Sequence, residues 1–346
     1  MRKLNKFWIC PMLLSALVLI LSNSCKKEVK LFAITTSTVN NISYNTAGCG
    51  GNITSDGGSS VTARGVCWSV SHNPTIADNL TTDGTGSGSF NSNLSGLTAK
   101  TTYFVRAYAT NSSGTTYGNE ISFTTIPFPN CGTVTDYDGN IYHTVTIGTQ
   151  CWMVENLKTT HYRNGISIPD VPAWGDWSIL ASGAYCNYDN TDTNANIYGR
   201  LYNFYAANNS NNIAPAGWHL PTQDEWTTLE HYLMSNGYNY DRIWDGTFSD
   251  SKISKAMAAQ ILWAPATGTG FVGNDLTLNN KTDFTALPGG DRGSGDFEEM
   301  GIFGNWWSSS NDGIEAIYEY IHSDNTHPLQ DASQLTAGLS IRCVKD

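Results

Sequence analysis

Between Leu31 and Thr125 the chain alternates apolar and polar residues over short runs separated by turn residues. The clearest runs cover residues 61–68, 102–109 and 120–124, and turns rich in Gly, Asn and Pro lie between them. A two-residue period without any helical period is typical of half-buried antiparallel strands. The pattern therefore predicts an all-β sandwich of about 100 residues over 31–126.

Beyond a short linker at 127–130, whose two prolines stiffen the join, the pattern changes. Thr222 and Glu225 have the spacing of a capping box, and the apolar residues after them follow at helical spacing. A second run with an apolar residue at every fourth position predicts a helix over 251–262. Strands and long loops account for the rest of 131–346, with loops expected at 163–185, 186–197 and 236–250.

The first 24 residues have the pattern of an export signal. Three cations precede an uncharged, mostly apolar run over 7–21, which is too short to span a hydrocarbon core of about 30 Å. Cys25 follows at the position of the acylated cysteine of a bacterial lipoprotein, with a polar tether over 25–30. Ordinary signal cleavage is the alternative, because small serines before Cys25 also fit a small-x-small site.

The cysteine count favours lipidation. Of eight cysteines, one leaves with the signal, and an odd number in an oxidising compartment leaves a thiol unpaired. Acylation of Cys25 leaves six cysteines, and a hairpin turn at Asp138-Gly139 would bring Cys131 and Cys151 together. Although six cysteines allow about 15 pairings, bonds within single domains give Cys49–Cys67, Cys131–Cys151 and Cys186–Cys343.

Charge limits the range of partners. The 346 residues contain 19 Lys+Arg against 30 Asp+Glu, a net charge of −11, and loss of the three signal cations takes it to −14. Nucleic-acid binding needs a basic face, so we expect no nucleic-acid partner. We expect the protein to be held at the membrane through lipid on Cys25 rather than through attraction to anionic headgroups.

Candidate chemistry is sparse. The sequence contains no metalloprotease, nucleophile-elbow or P-loop motif. A run dense in hard oxygen donors makes Asp189, Asp192 and Asn194 candidate calcium ligands, although Asn and Asp also form turns for local reasons. No other cofactor is expected.

Tryptophan is concentrated in the second region, where nine of the eleven tryptophans lie between Trp152 and Trp307. Trp174, Trp177 and Trp244 stand in polar loops and are candidates for stacking on sugar rings. The alternative for any tryptophan is burial in the core.

Two family resemblances add to this. The run 97–108 (LTAKTTYFVRAY) resembles a fibronectin type III domain, an immunoglobulin-like sandwich in which a Leu and a Tyr six residues apart mark a corner and the tyrosine hydroxyl bonds back to the backbone. Leu97 and Tyr103 have that spacing. In this interpretation the sandwich over 31–126 is a spacer or, less simply, a ligand-binding domain.

Residues 131–346 resemble the Fibrobacter succinogenes major paralogous (FISUMP) domain family of exported bacterial surface proteins. Seven segments match in order: 138–142 (DGNIY), 150–157 (QCWMVENL), 198–203 (YGRLYN), 217–226 (GWHLPTQDEW), 286–292 (ALPGGDR), 306–310 (WWSSS) and 340–344 (SIRCV). The segment around 220–226 is also similar to the formylglycine-generating-enzyme branch of the C-type-lectin-like fold. The resemblance therefore implies an α+β C-type-lectin-like domain.

The expected function is that of a non-catalytic, lipid-anchored protein of the outer membrane or cell surface that binds a glycan or a protein. An enzyme of unrecognised type is one alternative, and a purely structural surface protein is another. The copper site of formylglycine-generating enzymes needs two late cysteines, whereas only Cys343 follows Cys186 here.

We predict that Cys25 carries the lipid. Mature protein should partition into detergent, and Cys25→Ala should move it to the aqueous phase because the acyl chains supply the membrane affinity. Phase partitioning with and without globomycin measures this. Retention of Cys25→Ala in the detergent phase would show that something else anchors the chain.

Overall fold

The computed structural model describes residues 31–293 and 295–346. The predicted signal and Cys25 lie outside these residues. The fold is mostly β, with 34% strand and 13% helix. Within the described ranges, every helix is too short or too polar to cross a bilayer.

The first region forms two antiparallel sheets. Its strands are β1 (Phe32–Thr36), β2 (Ala47–Asp56), β3 (Ala63–Ser69), β4 (Asn79–Leu80), β5 (Gly88–Leu94), β6 (Thr102–Asn111), β7 (Gly114–Tyr117) and β8 (Ile121–Thr124). One sheet has the order β1-β2-β5, and the other has the order β4-β3-β6, with β7 and β8 both paired to β6. Ile34 and Ile53 from the first sheet share a buried cluster with Val66 and Val105 from the second. The alternation in the sequence therefore predicted the sandwich correctly.

The second region has more elements, and most of them are short. Its strands are β9 (Thr133–Thr135), β10 (Ile141–Ile147), β11 (Gln150–Met153), β12 (Tyr185–Cys186), β13 (Leu201–Tyr202), β14 (Trp218–His219), β15 (Asp291–Arg292), β16 (Phe297–Glu298), β17 (Phe303–Asn311), β18 (Glu315–His322), β19 (Leu329–Gln334) and β20 (Val344–Lys345). They form the sheets β14-β20-β11-β10-β9 and β17-β18-β19 and the pairs β12-β13 and β15-β16.

Within the described residues, five α-helices lie among these strands: α1 (Trp174–Trp177), α2 (Asp192–Tyr198), α3 (Phe204–Ala207), α4 (Gln223–Ser235) and α5 (Ser254–Met257). Helix α4 begins with the predicted capping box, because Thr222 accepts from the backbone of Glu225 and the Glu225 side chain accepts from the backbone of Thr222. Its apolar face is buried at Trp226, Leu229 and Leu233, as the spacing predicted.

The predicted helix over 251–262 is shortened to α5. Ala258 is already extended, with φ −66° and ψ 143°. It forms a parallel bridge to Ala286, and the amide of Ala259 donates to the carbonyl of Ala286. Pairing with a distant segment therefore takes up the backbone groups that a longer helix would use, and Ile261 is left exposed.

An aromatic cluster forms the core of the second region. The rings of Trp152 and Trp226 lie 4.6 Å apart, and Phe284 and Trp306 pack against Trp226 at 6.0 and 6.4 Å. The guanidinium carbon of Arg342 lies 4.4 Å from the Phe284 ring centroid. Four of the family-like segments thus meet in one buried cluster.

The predicted Cys131–Cys151 disulfide is present, with its Cα atoms 6.4 Å apart. The hairpin expected at Gly139 joins β9 to β10. Cys131 precedes β9, and Cys151 lies opposite Thr146 on β10, so the bond links segments on the two sides of β10.

The other two predicted bridges are not formed, because Cys49, Cys67, Cys186 and Cys343 are buried free thiols. Cys49 belongs to the sandwich core, whereas Cys67 alternates with the core residues Val66 and Trp68 and its thiol meets the carbonyl of Pro74 at 3.4 Å. Strand alternation therefore points the two thiols to different faces.

Cys186 and Cys343 belong to two separate buried clusters, so they are not neighbours either. Burial raises the pKa of each of these thiols to about 12. Very little thiolate is present at neutral pH, which makes both side chains unreactive in the folded chain.

We predict that peptide mapping of the mature chain under non-reducing conditions finds one disulfide, 131–151. Alkylation after unfolding should label Cys49, Cys67, Cys186 and Cys343 before any reductant is added. The double variant Cys131→Ser/Cys151→Ser should have a free energy of unfolding about 2–4 kcal/mol lower than that of the wild type. Recovery of a 49–67 or 186–343 peptide would contradict the free thiols.

Candidate functional site

The connection from β5 to β6 is the point where the two regions meet. Leu97 is buried, and the amide of Thr98 donates to the hydroxyl oxygen of Tyr103 at 3.0 Å. This is the corner that the fibronectin-like spacing predicted. The next amide, that of Ala99, donates to the hydroxyl oxygen of Tyr238 in the second region at 2.9 Å.

The contact is well packed. Ala99 is fully buried in the main core cluster of the second region, together with Phe128 from the linker. The Phe128 ring lies between Tyr44 at 5.4 Å and Tyr238 at 5.7 Å. The linker is thus part of an interface, and the corner of the sandwich has a fixed place on the second region.

A cleft of about 430 Å³ opens at this interface. We call it the junction cleft, and its walls include Thr98, Tyr240, Arg242, Lys255, Asn274 and Lys281. A neighbouring depression of about 320 Å³ shares Thr98 and Arg242 with it and continues onto the sandwich at Trp68. Together they make a groove along the junction.

Three cations converge beside the junction cleft: Arg242 and Lys281 line it, and Lys100 lies close enough to Lys281 for their charges to interact. Burial lowers the pKa of the Lys281 ammonium, and the charges of Lys100 and Arg242 lower it further. Lys100 comes from the corner of the sandwich, and its Nζ donates to Asp283 Oδ1 at 2.6 Å and to the carbonyl of Asn280 at 3.2 Å. Among the described residues, this is the only ion pair that any of the three cations makes.

Lys255 has a structural role in the same cleft. It is only 6% exposed, and its ammonium donates to the carbonyls of Phe271 at 3.1 Å, Asp275 at 3.0 Å and Asn274. Burial lowers its pKa, while Asp275 acts in the opposite direction. Lys255 therefore fixes the loop that forms the rim of the cleft.

The rim also carries an aromatic face. Tyr240 packs against Gly270, which has φ +79°, and a Cβ at that glycine would lie 2.3 Å from the Tyr240 ring. Glycine is thus required there for both conformation and space. The result is an open cleft with an exposed Tyr240 ring, amide and hydroxyl groups, and two cations without a carboxylate partner in the described part of the chain. One carboxylate, that of Asp275, also lines it and accepts from the amide and hydroxyl of Thr277.

The tryptophans predicted to bind ligand have three different environments. Trp177 is fully buried, with the guanidinium carbon of Arg292 at 4.7 Å from its ring, so it cannot stack on a sugar. Trp174 is 57% exposed. Trp244 is partly buried, edge-on to His231 at 5.4 Å, and its indole donates to the carbonyl of Thr247. None of them lines the junction cleft.

The predicted calcium residues belong to a helix start, which corrects the loop expected over 186–197. Thr191 caps α2 by accepting from the amide of Asn194, and the Asn194 side chain donates to the carbonyl of Tyr188 at 3.0 Å. Asp192 accepts from Asn187 at 2.9 Å, and Asp189 has φ +52° in the preceding turn. Within the described ranges, no three His, Cys, Asp or Glu side chains are grouped to hold a metal.

Sequence reasoning missed the junction cleft. Its cations Lys100 and Lys281 are far apart along the chain, and each stands in an ordinary polar loop. The only signal present was the tyrosine corner, which placed Lys100 at one end of the sandwich but did not show what it meets.

Comparisons with known proteins give a family and several partial structural likenesses. A family model described as Fibrobacter succinogenes major domain matches residues 145–345. No curated protein matches the chain.

Among solved structures, a sensor domain of the anti-sigma factor RsgI4 in Pseudobacteroides cellulosolvens is 16% identical. The match covers 28% of this chain and 94% of that one, with a TM-score of 0.22. A fibronectin type III domain derived from human KIAA0970 protein is 18% identical over 29% of this chain and 77% of its own, also at 0.22. At these scores the likenesses carry no argument about function.

We predict different effects for two neighbouring tryptophans. Trp177→Ala should lower the free energy of unfolding by about 3–5 kcal/mol, because it opens a cavity beside Arg292. Trp174→Ala should change it by less than about 0.5 kcal/mol, because the side chain is mostly solvated. Urea denaturation measures both, and equal losses would contradict the burial described.

Proposed function

The chain belongs to the Fibrobacter succinogenes major domain family. From this premise we propose that it is an exported surface protein whose junction cleft binds a carboxylate-bearing glycan. The proposal includes a lipid anchor on Cys25, a C-type-lectin-like fold for residues 131–346 and the absence of catalysis.

The convergence of Lys100, Arg242 and Lys281 carries the proposal. Burial lowers the pKa of Lys281, and the neighbouring charges of Lys100 and Arg242 lower it further, because like charges at one site repel. Arg242 and Lys281 have no carboxylate partner among the described residues, so an anionic ligand would relieve the repulsion. A chain with a net charge of −11 repels large polyanions at long range, which favours a ligand whose charge is local.

The remaining walls favour a hydroxylated ligand. Thr269 and Asn274 bring a hydroxyl and an amide group to the cleft, and the Tyr240 ring offers a face for a sugar. The volume is within the range of about 300–1,000 Å³ that is usual for small-molecule sites. An acidic segment of a protein partner would use the same cations but would need fewer of these polar groups.

The contribution of both regions to one cleft supports binding over a spacer role for the sandwich. The cations that carry the proposal meet the ligand directly, so we expect binding that is independent of calcium. The purely structural alternative predicts that the cleft stays empty.

We predict that the mature chain binds uronate oligosaccharides in preference to their neutral counterparts on a glycan array, with and without calcium. The double variant Arg242→Gln/Lys281→Gln should bind at least tenfold more weakly, a loss of about 1.4 kcal/mol or more. Rising salt should also weaken wild-type binding because it screens the charges.

The matched control is Lys345→Gln, which removes a like charge from an exposed position outside the cleft and should bind as the wild type does. Equal binding of neutral glycans would refute the role of the cations. An array that stays silent, combined with capture of an acidic peptide, would replace the glycan by a protein partner.

A further inference from the structure

The depression beside the junction cleft extends the binding surface onto the sandwich. Its volume is about 320 Å³, and most of its lining residues belong to the sandwich. We call it the sandwich depression, and its lining on that side consists of residues 68–70, 79, 95, 96, 98 and 103. The cleft and the depression have Thr98, Gly237 and Arg242 in common. Each space is within the range of about 300–1,000 Å³ that is usual for small-molecule sites, so each has room for its own part of a ligand.

Thr98 and Gly237 mark the boundary between the two spaces. Thr98 Oγ1 donates to the carbonyl of Asn236 at 3.5 Å, which joins the corner of the sandwich to the residues that follow α4. Gly237 has φ +78°, and a Cβ there would lie 3.4 Å from Thr98 Oγ1. The two regions are thus in contact at this boundary, and both spaces adjoin it. A ligand that crosses the boundary contacts both regions.

Arg242 lies at the same boundary and lines both spaces. It is exposed, and its backbone has φ +61°, in the left-handed region. A guanidinium group has five N–H donors. Arg242 can therefore bind an anionic group in the cleft and a hydroxyl oxygen in the depression at the same time.

The two spaces differ in charge. Besides Arg242, the cleft is lined by Lys255, Asp275 and Lys281, whereas Arg242 is the only charged residue among the described lining of the depression. The ammonium of Lys255 is bound by backbone carbonyls, which leaves Lys281 and Arg242 for an anion. A second carboxylate in the depression would have to share Arg242 with the first, and an unpaired charge in a protein cavity is costly. The acidic unit of the ligand therefore belongs in the cleft, and the depression suits an uncharged unit.

The exposed groups of the depression match a sugar. Asn79 and Ser95 are exposed, and within the described part of the chain neither side chain forms a hydrogen bond. An amide and a hydroxyl can each donate and accept, as sugar hydroxyl groups do. Val70, which is 37% exposed, adds apolar surface. Trp68 is only 8% exposed and belongs to the sandwich core, so contact with a sugar here is made through hydrogen bonds rather than through stacking.

We propose that the ligand is an oligosaccharide of at least two units, in which an acidic unit lies in the junction cleft and a neighbouring uncharged unit lies in the sandwich depression. This inference rests on the proposed function, and it adds the composition and the minimum length of the ligand. Arg242 contacts both units. The sandwich then contributes a subsite of its own, which distinguishes mixed acidic chains from chains made only of uronate.

The test is calorimetric titration of the mature chain with four probes. They are methyl glucuronide, a diglucuronate, and two disaccharides that join glucuronate to glucose, with the glucose on one side or on the other. At least one mixed disaccharide should bind more tightly than methyl glucuronide by a factor of about five or more, and more tightly than the diglucuronate by about twofold or more. The better of the two mixed disaccharides shows on which side of the uronate the uncharged unit lies.

Two variants of the depression separate its contribution from that of the cleft. Ser95→Tyr adds a ring that fills the depression, and it should reduce the advantage of the mixed disaccharide over methyl glucuronide to less than about twofold. Asn79→Ala removes one amide without adding bulk, and it should reduce the same advantage by about half. The matched control is Ser112→Tyr, which adds the same ring in the exposed turn between β6 and β7, outside both spaces, and should keep the full advantage.

The possible failures are distinguishable. Equal affinity for methyl glucuronide and both mixed disaccharides would overturn this inference and leave the proposed function in place. A diglucuronate that binds as tightly as the better mixed disaccharide, or an unchanged advantage in Ser95→Tyr, would do the same. Absence of binding by all four probes would overturn the proposed function, and this inference with it.

Discussion

Arg342 is fully buried, with no carboxylate bound to it among the described residues, and the core of the second region depends on how its charge is satisfied. Its guanidinium donates to Asn156 Oδ1 at 2.8 Å and to the carbonyl of Phe284, and it lies over the Phe284 ring. Burial lowers its pKa to about 9. An unsatisfied buried cation would be very costly, so each of these partners must be in place at once. Asn156 also accepts from the Trp306 indole at 2.8 Å and donates to the carbonyl of Tyr198 at 2.8 Å, which ties three distant segments to one amide.

Other cationic side chains of the molecule also donate to several backbone carbonyls. Arg292 lies between the rings of Trp177 and Phe297 and donates to three loop carbonyls, those of Val171, Pro172 and Gly295. Arg163 and Lys255 each bind three further carbonyls. Long loops leave many carbonyls without strand or helix partners. Cationic side chains that each bind several carbonyls therefore replace regular structure in a fold with few long elements.

At the junction the same principle joins the two regions. Lys100 reaches from the sandwich to the carbonyl of Asn280 and to Asp283, while the corner before it is held by Tyr103 and Tyr238. This arrangement brings Lys100 beside Arg242 and Lys281, whose charges are not consumed by backbone carbonyls in the described structure. The proposed ligand site thus lies where the chain has more cationic side chains than carbonyl and carboxylate groups to bind them.

The sequence by itself determined the features that depend on neighbouring residues. These features join residues that are close in the chain, where the spacing limits which residues can pair. They are the strand alternation, the capping box at Thr222 and Glu225, the corner at Leu97 and Tyr103, and the Cys131–Cys151 bond. The segments that resemble the family were also visible in the sequence. Their structural role was not, because Asn156 and Arg342 come into contact only after folding.

Tertiary structure determined the features that depend on residues far apart in the chain. The second helix ends at Met257 because Ala258 pairs with Ala286, and Trp177 is buried because Arg292 covers it. The thiols of Cys49 and Cys67 stay apart because strand alternation turns them to different faces. The junction cleft gathers charged side chains from segments far apart in the chain. A sequence records which groups must be satisfied, whereas only packing selects which of several chemically equivalent partners satisfies each one.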